Sequence, residues 1–425
     1  MDRFARLPHW GQHELNTSSN SHAPDETDPA APQSIRPRVG ALLFLTTIFF
    51  TNFFARIAPS PLMPSIEKDI GINHSQAGTL FLVIAAGYFV TLIGSGFISS
   101  RTTHRTTIVI SAVSLGLAYL AASTCHSLLG MFFGMLFSGM AAGLYLPSGI
   151  AAVTSLVSVQ HWGKAIAVHE LAPNLAFVMA PVVAEMVLGW FSWRGVMALV
   201  GLCSLSMGIA FAFWGRGGDF PGDAPALGSL RSLGRKPAFW IMIVLFSLGI
   251  GGTVGIYAML PLFLVSERGM GAGLTNSILS LSRIIPLAMA LLSGWAADHF
   301  GPKRTINFVL LLTGALTVLL GIVTGRWLIV VVFLQPMLAV CFFPAALAAL
   351  SSIGPGSARN VVVSFTIPLS FLIGAGAIPA LIGVMGNAGS FAGGIAITGG
   401  LIMLGAALSH YLQLSNPTGG GSNDN

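Results

Sequence analysis

Four ionisable side chains, Arg56, Glu170, Glu185 and Arg283, stand inside long apolar runs of the sequence. In a hydrocarbon environment each costs about 2.5 to 3.5 kcal/mol, so a residue kept there is either paired or used. Arg283 lies about ten residues into its run, beyond easy reach of either edge for a side chain that spans little more than a helical turn. Its planar fork of donors matches a carboxylate, phosphate or nitrate, which points to a bound anion. The competing reading makes it the structural partner of a carboxylate on a neighbouring helix. Arg56 stands in Asn52-Phe-Phe-Ala-Arg56-Ile-Ala-Pro59-Ser-Pro61-Leu-Met-Pro64-Ser-Ile-Glu67. Those prolines interrupt helical hydrogen bonding and free carbonyls that can hold a solute or water. Arg56 itself either faces a solute or reaches headgroups and pairs with Glu67.

His169 and Glu170 occur in Ala167-Val-His169-Glu170-Leu-Ala-Pro173-Asn174. A desolvated carboxylate holds a proton more readily and an adjacent imidazole can relay it, so proton carriage through Glu170, with His169 beside it, is expected. Against this stands static pairing with a nearby basic residue. Helical neighbours point about 100° apart, so only one of the two faces squarely into a cavity. Glu185 is expected to reach water or Arg194. Tyr88, Tyr145, Asn174, Tyr257, Gln335 and Thr366 are candidate hydrogen-bonding contacts for a solute, although such groups also glue membrane helices together. No HExxH, GxSxG, nucleotide-binding loop or paired catalytic spacing occurs, so neither an enzyme nor an ATP-driven pump is indicated. Cys125, Cys203 and Cys341 are isolated, so no disulfide framework, metal site or cofactor is expected.

The elements that position these residues are legible from composition. Of 425 residues 54% are hydrophobic and 8% charged, against about 25% charged in a soluble domain, which excludes a water-soluble fold. A bilayer span needs about 20 apolar residues. Twelve such runs begin near Val39, Gln76, Thr106, Leu128, Lys164, Gly195, Ala238, Gly273, Arg304, Trp327, Asn360 and Ser390. The run from Leu128 to Val157 is long enough to need tilt or a protruding turn. With the N-terminus taken as cytoplasmic, fourteen of the twenty basic residues fall in cytoplasmic loops and four, Lys68, Arg194, Arg268 and Arg326, in the opposite ones. That bias places both termini inside and reads the net charge of +6 as a topology signal, not a nucleic-acid surface.

Residues 1–37 and 413–425 read as polar cytoplasmic tails, the first disordered and without a signal-peptide core. Between them lie residues 38–214, a Gly/Pro-rich linker at 215–237, and residues 238–412. Leu146-Pro147-Ser-Gly-Ile-Ala-Ala-Val-Thr-Ser155 parallels Phe343-Pro344-Ala-Ala-Leu-Ala-Ala-Leu-Ser-Ser352 at an offset of 197. Gly96-Phe-Ile-Ser-Ser-Arg101-Thr-Thr-His104-Arg105 likewise parallels Gly294-Trp-Ala-Ala-Asp298-His299-Phe-Gly301-Pro-Lys303-Arg304. The expectation is an all-α integral membrane fold of twelve helices in two pseudo-symmetric six-helix bundles, with a site between them.

Gly294-x-x-x-Asp298-His299-x-Gly301-x-Lys303-Arg304 resembles the loop signature of the major facilitator superfamily. The resemblance implies a secondary transporter working by alternating access, with Asp298 locking the cytoplasmic face against a helix end and basic partners while the cavity is open outward. The first-half copy has Ser100 where the Asp belongs and Thr103 where the second Gly belongs, so the resemblance implies an asymmetric gate. The segment around Arg56 resembles the anion–cation symporter branch, with Ala55 where relatives place a carboxylate. Ala176-x-x-x-Ala180-Pro181-x-x-Ala184 resembles the antiporter signature with Ala for Gly, and also reads as simple close packing. The expected function is proton-coupled movement of a small anion across a cell membrane, a bacterial inner membrane, by a monomer. The alternatives are a drug or metabolite exporter, and a non-transporting receptor or assembly subunit.

Overall fold

The computed structural model describes residues 38–223, 234–353 and 359–413, so the expected tails and the middle of the expected linker lie outside the described residues. Among the described residues eleven stretches are long and apolar enough to cross a bilayer: α1 (Val39–Ile70), α2 (His74–Arg101), α3 (His104–Ser123), α4 (Leu128–Ser155), α5 (Val159–Leu188), α6 (Trp193–Trp214), α7 (Pro237–Glu267), α9 (Pro302–Ile322), α10 (Arg326–Ser351), α11 (Val362–Asn387) and α12 (Phe391–Ser409). The twelfth, α8, is a broken pair, Ala272–Met289 with Leu292–Phe300.

The helix ends follow local chemistry. Asn73 and Gln76 form a reciprocal capping box at the start of α2, and the Thr103 hydroxyl caps α3. Pro237 and Pro302 open α7 and α9, where a missing N–H costs nothing. Gly301, at φ +84°, makes the sharp reversal between α8 and α9. The long fourth run solves its length by breaking at Leu144, three residues ahead of Pro147. Proline has the same effect in α1, which pauses at Ala58 and resumes at Pro59. The carbonyl freed four residues before Pro59 belongs to Ala55, and it accepts the Tyr119 hydroxyl. Protein, not solute, thus occupies that acceptor.

Connections alternate between two faces: one carries the α6–α7 connection, the other the turns at Gly71 and Gly269. We call them the connector face and the far face. The buried core forks between them. Near the connector face, Leu45, Phe49, Ile108 and Tyr145 belong to a cluster drawn only from α1–α6, and Phe246, Ile306, Phe342 and Ala406 to one drawn only from α7–α12. Toward the far face a single cluster joins both sets, from Leu62, Phe81 and Ala180 to Tyr257, Leu279 and Ile382. The two six-helix sets are therefore closed against each other at the far face and parted at the connector face.

Glycine makes the far-face seal possible. A Cβ on Gly78 of α2 would come within 2.6 Å of the Pro379 carbonyl of α11, and one on Gly383 within 2.4 Å of the His74 carbonyl. Real Cβ atoms do not approach backbone this closely, so α2 and α11 touch along their main chains. On the other flank α5 packs against α8: Asn276 Nδ2 donates to Glu185 Oε2 at 3.0 Å and Ser280 Oγ to the Val178 carbonyl at 2.8 Å. Glu185 thus seals one half to the other and does not reach Arg194, whose guanidinium pairs with Asp69. Ala176, Ala180, Pro181 and Ala184 are buried on α5, so the small-residue stripe is a packing face here.

Candidate functional site

Where the fork begins, two guanidiniums face aromatic rings. The Arg56 guanidinium carbon lies 3.9 Å from the ring centre of Tyr88, 4.6 Å from Phe371 and 5.0 Å from Phe53. That of Arg283 lies 4.7 Å from Phe177 and 4.9 Å from Tyr257. Phe53 meets Phe177 edge-on at 5.4 Å, and Phe177 meets Tyr257 edge-on at 4.8 Å. One aromatic wall thus runs from one guanidinium to the other, with rings from both halves. Arg56 does not pair with Glu67, which is bonded to His74 at 2.9 Å. Among the described residues no carboxylate forms an ion pair with Arg56 or Arg283.

Arg283 sits at an interruption within the first segment of α8, where Arg283–Ile285 leave the helix ahead of Pro286. It is 6% exposed, donates one long bond of 3.4 Å to the Thr253 carbonyl, and has no partner for Nε. The Thr253 carbonyl belongs to a π-helical turn of α7, Gly251–Gly255, whose wider spacing loosens ordinary helical bonding. Gln335 takes the neighbouring Gly252 carbonyl at 2.8 Å and the Thr317 hydroxyl at 3.1 Å. Gln335 is therefore committed inside α7–α12. The hydroxyls of Tyr257 and Thr366 are buried without a partner. Donors and acceptors left open beside a guanidinium are what a polar ligand completes.

Arg56, Ser60, Tyr88, Tyr257 and Phe371 line a cavity of about 20 Å³ between the halves. That is room for about one water molecule. The rings must part before a solute enters. Ser60 closes the cavity by donating to the Tyr257 carbonyl at 2.7 Å, between positions exactly one repeat apart, 197 residues. Tyr257 O is available because Pro261, four residues on, has no N–H, and Pro64 stands at the equivalent place after Ser60. The sequence reading passed over Ser60, Phe177 and Phe371. The signal for Ser60 was present, as a proline four residues after each member of a pair at the repeat offset.

His169 is 1% exposed and stacks on Phe49 at 4.3 Å, 5° from parallel. Its Nε2 lies 3.1 Å from the Tyr145 hydroxyl, which donates its own hydrogen to the Leu45 carbonyl at 2.8 Å. Nε2 must then carry a hydrogen, because the hydroxyl has none left to give. Nδ1 faces Glu170 Oε1 at 3.6 Å. That separation is longer than a hydrogen bond and within the reach of an ion pair. Glu170 sits at the helix break between His169 and Leu171 and its side chain is 47% exposed, so it is solvated here where desolvation was expected. Tyr145 is fully committed to His169 and Leu45, and Asn174 donates to the Glu170 carbonyl.

At the connector face Asp298 is exposed and makes no ion pair among the described residues, while Lys303 donates to the His410 carbonyl of its own half. Among the described residues no ion pair spans the halves at this loop. The first-half loop is tied differently: His104 N and Arg105 N donate to the Phe220 and Gly218 carbonyls, and Arg105 pairs with Asp219 at 3.1 Å. The connection after α6 supplies the carboxylate that Ser100 lacks.

A twelve-helix fold in two sets of six, parted on one face around buried charges, defines an integral membrane protein of the major facilitator type, and the family model of that name, "Major Facilitator Superfamily", matches residues 45–288. The chain belongs to this family. It is 20% identical over 245 residues to the multidrug resistance protein MdtL of Klebsiella pneumoniae, covering 57% of this chain and 62% of that one. It is 24% identical over 176 residues to a "Probable hexose phosphate transport protein" of Chlamydia trachomatis, 41% of this chain and 38% of that one. The chain thus spans less than two thirds of these relatives. Among solved structures, an inward-facing, unoccupied bacterial homologue of the human lysosomal transporter Spinster superposes with a TM-score of 0.77 at 15% identity, over 89% of this chain and 97% of that one.

Proposed function

We propose that the protein is a secondary transporter that moves a small anion by alternating access, coupled to protons. The observation that carries the anion is the pair of guanidiniums, Arg56 from α1 and Arg283 from α8, set at the junction of the halves with rings and no ion-paired carboxylate around them. Cation–π contacts return about 0.5 to 2 kcal/mol each, but the rings carry no net charge to neutralise a guanidinium held at that depth. An anion supplies the missing counter-charge. Since the far face is sealed and the connector face parted, binding begins from the connector face, which the distribution of basic residues assigns to the cytoplasm. One chain suffices, because the cavity lies between its own halves.

The adjacent His169 and Glu170 are the coupling site in this reading, with the half-exposed Glu170 exchanging protons with water on the open side. An exporter reading draws on the aromatic lining of the cavity and on the relative named for multidrug resistance. A thermal-shift screen of purified protein against carboxylates, phosphates, oxyanions and lipophilic cations separates the two. We expect an anion to raise the melting temperature, and Arg283→Gln or Arg56→Gln to weaken that ligand by about 10- to 100-fold, the worth of charged hydrogen bonds. Stabilisation by lipophilic cations that survives both substitutions would falsify the anion assignment. In proteoliposomes, Glu170→Gln should abolish pH-driven accumulation and leave exchange down a gradient intact.

A further inference from the structure

A second basic site lies away from the transport cavity. At the connector face, Arg38, Ala41, Phe44, Leu156, Trp214 and Arg216 line a groove of about 560 Å³ between the ends of α1, α4 and α6. This is within the range of about 300 to 1,000 Å³ for sites that hold small molecules. Its depth in the bilayer is set by its own elements: α1 starts at Val39, α4 stops at Ser155 and α6 stops at Trp214, so the groove opens where hydrocarbon gives way to headgroups. Phe213 and Trp214 are each 74% exposed, as aromatic residues at that boundary are.

The two cations have different tasks. Arg38 donates to the Leu156 carbonyl at 2.6 Å and so ties α1 to the end of α4. Arg216 is exposed and makes no hydrogen bond or ion pair among the described residues. Its position is fixed by the backbone around it, since Gly217 and Gly218, at φ +91° and +79°, turn the chain onto Ala152 and Leu156. A cationic rim over an apolar wall suits an amphiphile with a negative head and a hydrocarbon tail. We propose that this groove binds one anionic phospholipid of the connector-face leaflet, its phosphate on Arg216 and its acyl chain along Ala41 and Phe44. The inference is independent of what the central cavity carries.

The test is native mass spectrometry of the full chain released from nanodiscs of phosphatidylcholine containing phosphatidylglycerol, with parallel melting curves. The parent should retain about one phosphatidylglycerol per chain and melt higher than in phosphatidylcholine alone. Arg216→Gln should weaken retention about fivefold, the factor expected for one basic residue at an anionic surface. Arg216→Lys should keep most of it, and Arg101→Gln, an exposed basic residue of the same face outside the groove, should change nothing. Equal retention of phosphatidylcholine, or equal loss in Arg101→Gln, overturns the proposal. So does stabilisation of the parent by millimolar inorganic phosphate in phosphatidylcholine that Arg216→Gln abolishes, which would make the groove a site for free phosphate.

Discussion

Arg283 shows how a residue can be found from sequence while its surroundings cannot. Depth in an apolar run marks the charge as costly, but the same string admits a carboxylate partner on any neighbouring helix. The fold places Phe177 and Tyr257 against the guanidinium, from helices far apart in the chain, and among the described residues no carboxylate pairs with it. Tyr145 shows the reverse, since a candidate solute contact turns out to orient His169. Tyr145→Phe should leave the Nε2 hydrogen of His169 buried without an acceptor and lower stability by about 1 to 3 kcal/mol. Adding His169→Phe, which keeps a ring against Phe49, removes the orphaned donor as well. The double variant should therefore melt higher than the sum of the two single losses predicts, and strict additivity in the cycle would show that the hydroxyl and imidazole are not coupled.

At the scale of the element, apolar runs and basic loops were enough to place most of the twelve starts within two residues, because a helix that must satisfy its own backbone in lipid leaves few alternatives. The fifth start was five residues late, since Gln160 and His161 put polar side chains into the first turn of the segment. Less legible was which helices meet. Gly78 and Gly383 look like ordinary membrane glycines in the sequence, and only the crossing of α2 and α11 gives them a task. Gly383→Ala places a methyl 2.4 Å from the His74 carbonyl, an approach to backbone that no side-chain motion relieves. The far-face seal should loosen. With the native cysteines replaced and Ser60→Cys as the reporter, an impermeant thiol reagent added from the far face should label the Gly383→Ala protein about tenfold faster than its parent. Unchanged labelling would mean that the seal closes elsewhere.

For the whole molecule, the question is how a fork that is parted on one face becomes parted on the other. The two halves meet across few polar contacts, and those at Ser60, Glu185 and Ser280 all lie from the cavity outward. Opening the far face must break them, so something at the connector face has to compensate. Among the described residues Asp298 has no ion-pair partner in the present state, so a lock through it belongs to the other one. An exposed ion pair contributes about 0.2 to 1 kcal/mol, enough to shift a balanced two-state equilibrium by up to about fivefold. Asp298→Asn should thus leave the connector-open state untouched and deplete its counterpart. Spin labels at Thr102 and Ser351, at the connector-face ends of α2 and α10, read the two states as long and short separations. The short fraction should fall by up to about threefold in Asp298→Asn, the change in population that a fivefold shift of a balanced equilibrium gives, while melting of the connector-open form stays the same. A short fraction that does not change would remove Asp298 from the gate and leave Lys303 and Arg304 as topology signals alone, because charge at that loop would then follow the membrane and not the transport cycle.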